Sequence, residues 1–382
     1  MNKFFKILII YMSLIACSYA NPTVNARTGI LIDFHSDKIL YESDPDAQIY
    51  PASMTKIMTS IVAFDLLKNN KLSLDDMFVV SENAWRLSQS GYSSMFIMVN
   101  DQVSVEDLLK GIIIASGNDS CVALAEGIAG SEENFAEMMN EKAGEIGMTS
   151  TNFTNSSGIN DPDNISTVRD IALMSKYLIN NYPKYYELFK EKTFTWDRTG
   201  GDPIKQGNRN PLLYKNVGVD GVKTGYLAVE KYSLASSMIK KDRRLIAVVS
   251  GFPTKNLRSS ESLKLLNWGF RNTNTFEVSN KEKSTFELDT WLANKDKIKA
   301  VSKEDYYITI NKKNVRNLQV SLKYNGPIVA PVDKGEKIAE LVVSNKSETI
   351  KTLPLYAAED LKKVNFFKSL ITSINYLIWG DV

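Results

Sequence analysis

Ser53-Met54-Thr55-Lys56 is the stretch on which the reading of this chain turns. A serine hydroxyl is a weak nucleophile at neutral pH and needs an adjacent base. Three residues along a helix bring two side chains onto one face, so Lys56 can reach Ser53 and act as that base. Ile57, Ile61, Val62 and Phe64 continue the motif as an apolar helix from Ser53 to Leu67. That richness predicts a core helix with the nucleophile in its first turn, where free backbone amides add partial positive charge. The chain has one histidine, His35, in a turn between two expected strands. A Ser-His-Asp triad is therefore disfavoured.

Two companion segments fit this motif. Ser116-Gly117-Asn118 falls between helices expected over Val103 to Ala115 and Asn118 to Ala129, where a short turn can aim side chains into a cleft. Lys223-Thr224-Gly225 falls in a strand expected over Gly221 to Tyr226. Further helices are expected from Glu132 to Gly147, capped by Ser131, and from Thr167 to Leu178. Strands are expected at Thr28 to His35, Lys38 to Tyr41, Tyr232 to Met238 and Leu245 to Gly251, with a hairpin turn at Lys241-Asp242-Arg243. Leu257 to Phe270 reads as a closing helix. Strands at both ends of a helical middle predict one α+β domain whose antiparallel sheet joins early and late pieces of chain.

The 382 residues suggest two or three domains at roughly 150 residues each. A signal peptide is expected over 1–20: Lys3 and Lys6 precede a short apolar run, and Ser18-Tyr19-Ala20 ends in a small residue. An alternative is a lipoprotein box, Leu14-Ile15-Ala16-Cys17, with Cys17 lipidated. The catalytic domain is assigned to 21–271 and a small all-β domain to 272–356, on short alternating runs such as Tyr306 to Ile310, Leu318 to Tyr324 and Ile338 to Val343. The tail, 357–382, places Val364, Phe367, Ile371, Ile374 and Ile378 at helical spacing, with Lys362, Lys363 and Lys368 at its start. It suits an amphipathic helix lying in a membrane surface, or one docked on the β domain. The formal net charge of +2 gives no argument for nucleic acid. No Cys/His/carboxylate cluster has metal-ligand spacing, so neither metal nor other cofactor is expected. Cys121, in an apolar run, reads as a small core residue.

Together the three motifs resemble those of the serine D-alanyl-D-alanine carboxypeptidases, the low-molecular-mass penicillin-binding proteins. Asp220 to Tyr226 looks like the family's third motif with its lead-in, and Ser166 to Asp170 and Asn267 to Phe270 look like further signatures. The resemblance implies a penicillin-binding, β-lactamase-like transpeptidase domain, a serine hydrolase acting on peptidoglycan stems that end in D-Ala-D-Ala, and covalent inhibition by β-lactams. It implies Ser53 as nucleophile and Lys56 as base, with a pKa lowered by a dry pocket and by the ammonium of Lys223. Ser116 would relay a proton to the leaving amine, and Asn118 would bond the substrate amide. The backbone amides of Ser53 and Tyr226 would form the oxyanion hole. Lys223, Thr224, Gly225, Arg209 and Arg258 would bind substrate, although either arginine also reads as an ordinary surface residue. Asn155-Ser156-Ser157-Gly158 stands where many members carry Asn-Pro-His-Gly. The implied location is periplasmic, at the outer face of the inner membrane. A serine β-lactamase, a peptidoglycan endopeptidase and a non-catalytic wall-binding scaffold are the alternatives. No glutamate follows Ser116 in the context a class A β-lactamase needs; Glu141 and Glu145 fall on a helix.

Overall fold

Strand residues Leu245, Ala247 and Val249 belong to one apolar cluster, and their neighbours Ile246 and Val248 to another. Side chains alternate along a strand, so this one is covered on both faces. The structure, a computed structural model, describes residues 22–379 apart from 160, 198–200 and 347. The expected signal segment, with Cys17 and Ala20, lies outside the described residues.

The first domain opens with β1 (Thr28–Asp33) and β2 (Ile39–Ser43). Helices α1 (Lys56–Lys68), α2 (Asn118–Ala129), α3 (Glu132–Ile146) and α4 (Val168–Asn181) follow. Ser131 and Thr167 cap α3 and α4 through their side chains, as their position predicts. Strands β3 (Val219–Leu227), β4 (Lys231–Lys240) and β5 (Arg243–Phe252) then complete an antiparallel sheet in the order β2-β1-β5-β4-β3. Helix α5 (Lys255–Asn272) packs Leu265 and Leu266 on one sheet face. The helical cluster covers the other face. Its centre is α1, buried from Lys56 through Phe64, as expected of a helix apolar on every side.

Two expected helices start or end differently. Ser53 lies in a 3-10 turn, Ala52–Thr55, ahead of α1. Ala52 adopts a left-handed φ of 50°, and the Met54 amide donates to Pro51 O, which lifts Ser53 out of the regular helix. The segment expected as one helix from Val103 divides into a strand (Gln102–Ser104), a short helix (Val105–Lys110) and a π turn (Gly111–Ala115). Val103 pairs with Phe78 in a two-stranded ladder, and the Ser104 side chain accepts from Asp107 N. Local capping thus starts the helix two residues late. The wide π turn then delivers Ser116 in the left-handed region, at φ 62°.

The second domain contains β6 (Thr273–Ser279), β7 (Thr285–Trp291), β8 (Lys297–Val301), β9 (Tyr306–Asn311), β10 (Leu318–Lys323), β11 (Ile328–Val329), β12 (Lys337–Asn345) and β13 (Glu348–Ala357). Six of them form a sheet in the order β10-β12-β13-β8-β7-β11, and β6 pairs with β9. Leu288, Ile298, Leu341, Val343 and Leu355 form its separate core. The two domains meet at Asp33, which is fully buried. It accepts from Arg243 Nε at 2.8 Å, Thr275 Oγ1 at 2.5 Å and Ser36 N at 3.0 Å. Ser36 Oγ also lies 2.6 Å from Thr309 Oγ1. Burial pushes the Asp33 carboxyl up, but the hydrogen bonds from Thr275 and Arg243 outweigh it and hold the pKa below its ordinary value. With the folded pKa depressed, this contribution is present at neutral pH and lost as pH falls through the lowered value.

The tail forms α6 (Phe366–Trp379). Phe366, Phe367, Leu370, Ile371, Ile374, Leu377 and Ile378 are exposed, so these side chains are not docked on the β domain. Among the described residues no helix is long and apolar enough to cross a membrane.

One glycine fixes the turn that carries Ser53. Gly158 has φ 76°, and a Cβ there would lie 1.9 Å from Ala52 O. Gly158→Ala is expected to cost about 3 kcal/mol or more through left-handed strain and overpacking. Calorimetry should show Tm falling by about 6–12 °C. A shift under about 2 °C would mean that the turn does not press on residue 158.

Candidate active site

Three separate pieces of chain converge on one cleft of about 920 Å³. The 3-10 turn brings Ser53, the junction before α2 brings Ser116 and Asn118, and edge strand β3 brings Thr224, Gly225 and Tyr226. Arg209 and Arg258 also line the cleft. Lys56 and Lys223 lie beneath its floor, 1% and 2% exposed. Every residue singled out from the sequence therefore falls in this region.

Lys56 Nζ donates to Ser53 Oγ at 3.2 Å, Asn118 Oδ1 at 2.6 Å and Ser157 O at 2.6 Å. Three acceptors match the three N–H groups of an ammonium, so the charged form is fully bonded where it sits. Lys223 Nζ donates to Ser116 Oγ at 2.9 Å. The result is two lysine–serine pairs in one cleft. Asn118 Oδ1 is committed to Lys56, which leaves the carboxamide N–H groups to face a ligand.

Burial lowers the pKa of Lys56, while the charges of Asp119 and Glu132 oppose the fall. Burial also pushes the Cys121 thiol up to about 12, so it stays protonated and supplies no charge to Lys56 at neutral pH. Lys223 is held well below the ordinary lysine value, first by burial and then by the charge of Lys56, with Arg209 and Arg258 adding to the effect. Lys56 was expected to be depressed partly by Lys223. Burial, the other cause expected, leads for both lysines, and repulsion between the two ammonium groups adds to it.

The two arginines differ. Arg209 is exposed, and its Nε donates to Ala115 O at 3.3 Å. Arg258 is buried, its guanidinium stands 5.6 Å from the Tyr232 ring centre, and its Nε finds no hydrogen-bond partner among the described residues. A buried cation with an unmet donor at a cleft wall is poised for an anion. The Tyr226 ring, half-exposed at the mouth, lies 4.6 Å from that of Tyr232.

Three structural residues escaped the sequence reading. Asp119 is fully buried and accepts from Ser88 Oγ, Ser94 Oγ, Met95 N, Phe96 N and Ser120 N at 2.6–2.9 Å. It ties the segment around residue 94 to the start of α2, beside Gly91, Tyr92 and Ser93 at the cleft wall. Glu132 accepts from Ser156 N at 2.9 Å and Ser156 Oγ at 2.5 Å, fixing the loop whose next carbonyl, Ser157 O, receives Lys56. The available signal for Asp119 was its place directly after Ser-x-Asn. Ser157 offered none, because it acts through its backbone.

The sequence pattern of the D-alanyl-D-alanine carboxypeptidase family, Peptidase S11, matches residues 15–254. That of the penicillin-binding protein 5 C-terminal domain matches residues 274–363. The D-alanyl-D-alanine carboxypeptidase DacC of Escherichia coli (strain K12) is 40% identical, over 91% of this chain and 86% of its own. Penicillin-binding protein 5 of Haemophilus influenzae superposes with a TM-score of 0.82 at 38% identity, covering 90% of this chain and 99% of that one. Penicillin-binding protein D2 of Listeria monocytogenes, solved in its ampicillin-bound form, superposes over 66% of this chain and 99% of its own, with a TM-score of 0.59 at 27% identity. This chain belongs to the D-alanyl-D-alanine carboxypeptidase family, Peptidase S11.

Proposed function

We propose that this enzyme removes the terminal D-alanine from peptidoglycan pentapeptide stems through an acyl-enzyme on Ser53, and that β-lactams acylate the same hydroxyl. The observation that carries the reading is the pair of buried lysines, each hydrogen-bonded to a serine at one cleft. Ser53 Oγ attacks the carbonyl between the two D-alanines as its proton passes to neutral Lys56. The tetrahedral oxyanion rests on the amides of Ser53 and Tyr226, where the loss of one donor costs about 3 kcal/mol in comparable sites. The C–N bond breaks, the leaving amine takes a proton by way of Ser116, and water then hydrolyses the ester. Asn118 orients the substrate amide through its free N–H groups. The terminal carboxylate lies against Thr224, Gly225, Lys223, Arg258 and Arg209.

The proposed setting is the periplasm, after export directed by residues 1–20. The exposed apolar stripe of α6 rests in the outer face of the inner membrane. Deleting residues 366–382 should move the protein from the membrane pellet to the soluble fraction. Retention in the pellet would refute the anchor.

Mass spectrometry after incubation with penicillin, and separately with a D-Ala-D-Ala pentapeptide, tests the chemistry. Wild-type protein should carry one penicilloyl adduct on Ser53 and release D-alanine. Ser53→Ala should carry none, with release reduced about 10⁴-fold or more. An adduct on the variant, or fast penicillin turnover without D-alanine release, would overturn the reading. Arg258→Ala should raise KM for the pentapeptide about tenfold or more with a smaller change in kcat, as loss of a charged hydrogen bond predicts. An unchanged KM would remove Arg258 from the carboxylate site.

A further inference from the structure

A second cavity, of about 300 Å³, lies between the two domains and away from the lysine–serine pairs. Its walls come from the start of β2, the C-terminal end of α5, the end of β9 and the 3-10 turn Lys312–Asn317 that follows β9. Four cationic residues line it: Lys38 and Arg271 from the catalytic domain, Lys312 and Lys313 from the β domain. Among the described residues no carboxylate lines it. The whole chain carries 46 Lys and Arg against 44 Asp and Glu, so a cavity lined by cationic residues and no acid is a local imbalance, while Lys313 also has a partner of its own.

Part of this charge has an ordinary role. Lys312 Nζ donates to Phe270 O at 3.0 Å, and Arg271 sits in the last turn of α5, where a cation complements the helix dipole. That does not account for the convergence. Lys38 and Arg271 enter no ion pair among the described residues. Like charges facing one cavity repel one another unless an anion or salt neutralises them. Half-buried Trp268, with Ile39 and Ile310, adds an apolar wall beside the cations. Arg271 offers a planar fork suited to two oxygens of one anion, and lysines supply point charges around it.

We infer that this interdomain cleft binds a small phosphate-bearing ligand: a phosphate or pyrophosphate group held by Arg271, Lys38, Lys312 and Lys313, with room for one sugar-sized substituent against Trp268. The volume is at the low end for a small-molecule pocket, which suits such a ligand. Because both domains contribute cations, occupancy braces the two against each other.

Calorimetric titration of the full-length protein with inorganic pyrophosphate in low-salt buffer, with sodium chloride at matched ionic strength as control, tests the site. One-to-one saturable binding with Kd below about 1 mM is expected, together with a ligand-dependent rise in Tm. The double variant Arg271→Ala, Lys313→Ala removes one cation from each domain at exposed positions. It should bind pyrophosphate at least about tenfold more weakly while keeping the wild-type Tm without ligand and the wild-type rate of penicillin acylation. Glucose 1-phosphate should bind the wild type and compete with pyrophosphate. Pyrophosphate heats no larger than those of sodium chloride, or equal affinity in wild type and double variant, would overturn the proposal. Partition onto phosphatidylglycerol-containing vesicles separates two sources of phosphate. A weaker partition of the double variant assigns a lipid headgroup, and an equal one assigns a soluble ester. A wild-type protein that forms the Ser53 adduct but binds no pyrophosphate would refute this site without touching the catalytic reading.

Discussion

Keeping two lysine amines dry at the base of one cleft is the constraint around which the first domain is arranged. A buried ammonium is tolerated only when its donors are met. Lys56 therefore calls for three acceptors at once, and they come from three places: Ser53 in its own turn, Asn118 at the start of α2, and the carbonyl of Ser157. Each acceptor needs its own support. Asp119 fixes the wall next to Asn118, and Glu132 fixes the loop of Ser157. The fold is thus built to hold hydrogen-bond acceptors still, and the core around α1 provides the rigidity.

The same burial sets the reactivity. Both lysines have folded pKa values below the ordinary 10.5, with burial as the first cause. Above 10.5 such a group is neutral in both states. As pH falls, the unfolded chain takes up the proton first, so stability decreases until the folded pKa is passed. At neutral pH the lysines therefore weaken the fold while bringing the proposed base closer to the neutral form it needs. The positive field of Lys223, Arg209 and Arg258 also suits a substrate that carries a carboxylate.

Much of this was legible in the sequence. Ser53 and Lys56 announced themselves by spacing, and Ser116, Asn118 and Lys223 by their places at a helix junction and in a strand. The unbroken apolar run Leu245 to Val249 of β5 and the largely apolar surface of α1 can be read directly from the sequence. The 3-10 turn at Ser53 and the π turn before Ser116 did not show, because apolar spacing barely distinguishes helix types. Backbone partners are equally silent: nothing in the letters of Asn155-Ser156-Ser157-Gly158 says that a carbonyl there will receive Lys56. The Asp33 junction was hidden because its partners, Arg243 and Thr275, are more than 200 residues away in sequence.

Strain at the cleft completes the account. Ala52 and Ser116 both hold positive φ without being glycine; Ala52 precedes the proposed nucleophile and Ser116 is itself a proposed catalytic group. Such conformations cost on the order of 1–3 kcal/mol each and persist only where the surroundings impose them. Ala52 is pressed between Pro51 and the loop at Gly158, where the missing side chain leaves room for its carbonyl. Ser116 is imposed by the π turn, whose Gly111 carbonyl accepts from Gly117 N at 2.9 Å and so closes the bend after the strained residue. In both places the strain turns a hydroxyl toward a lysine that a regular helix would leave at another angle. The cost falls on local backbone beside a large apolar core able to offset it, so reactivity at the cleft and stability of the domain are supplied by different parts of the same structure.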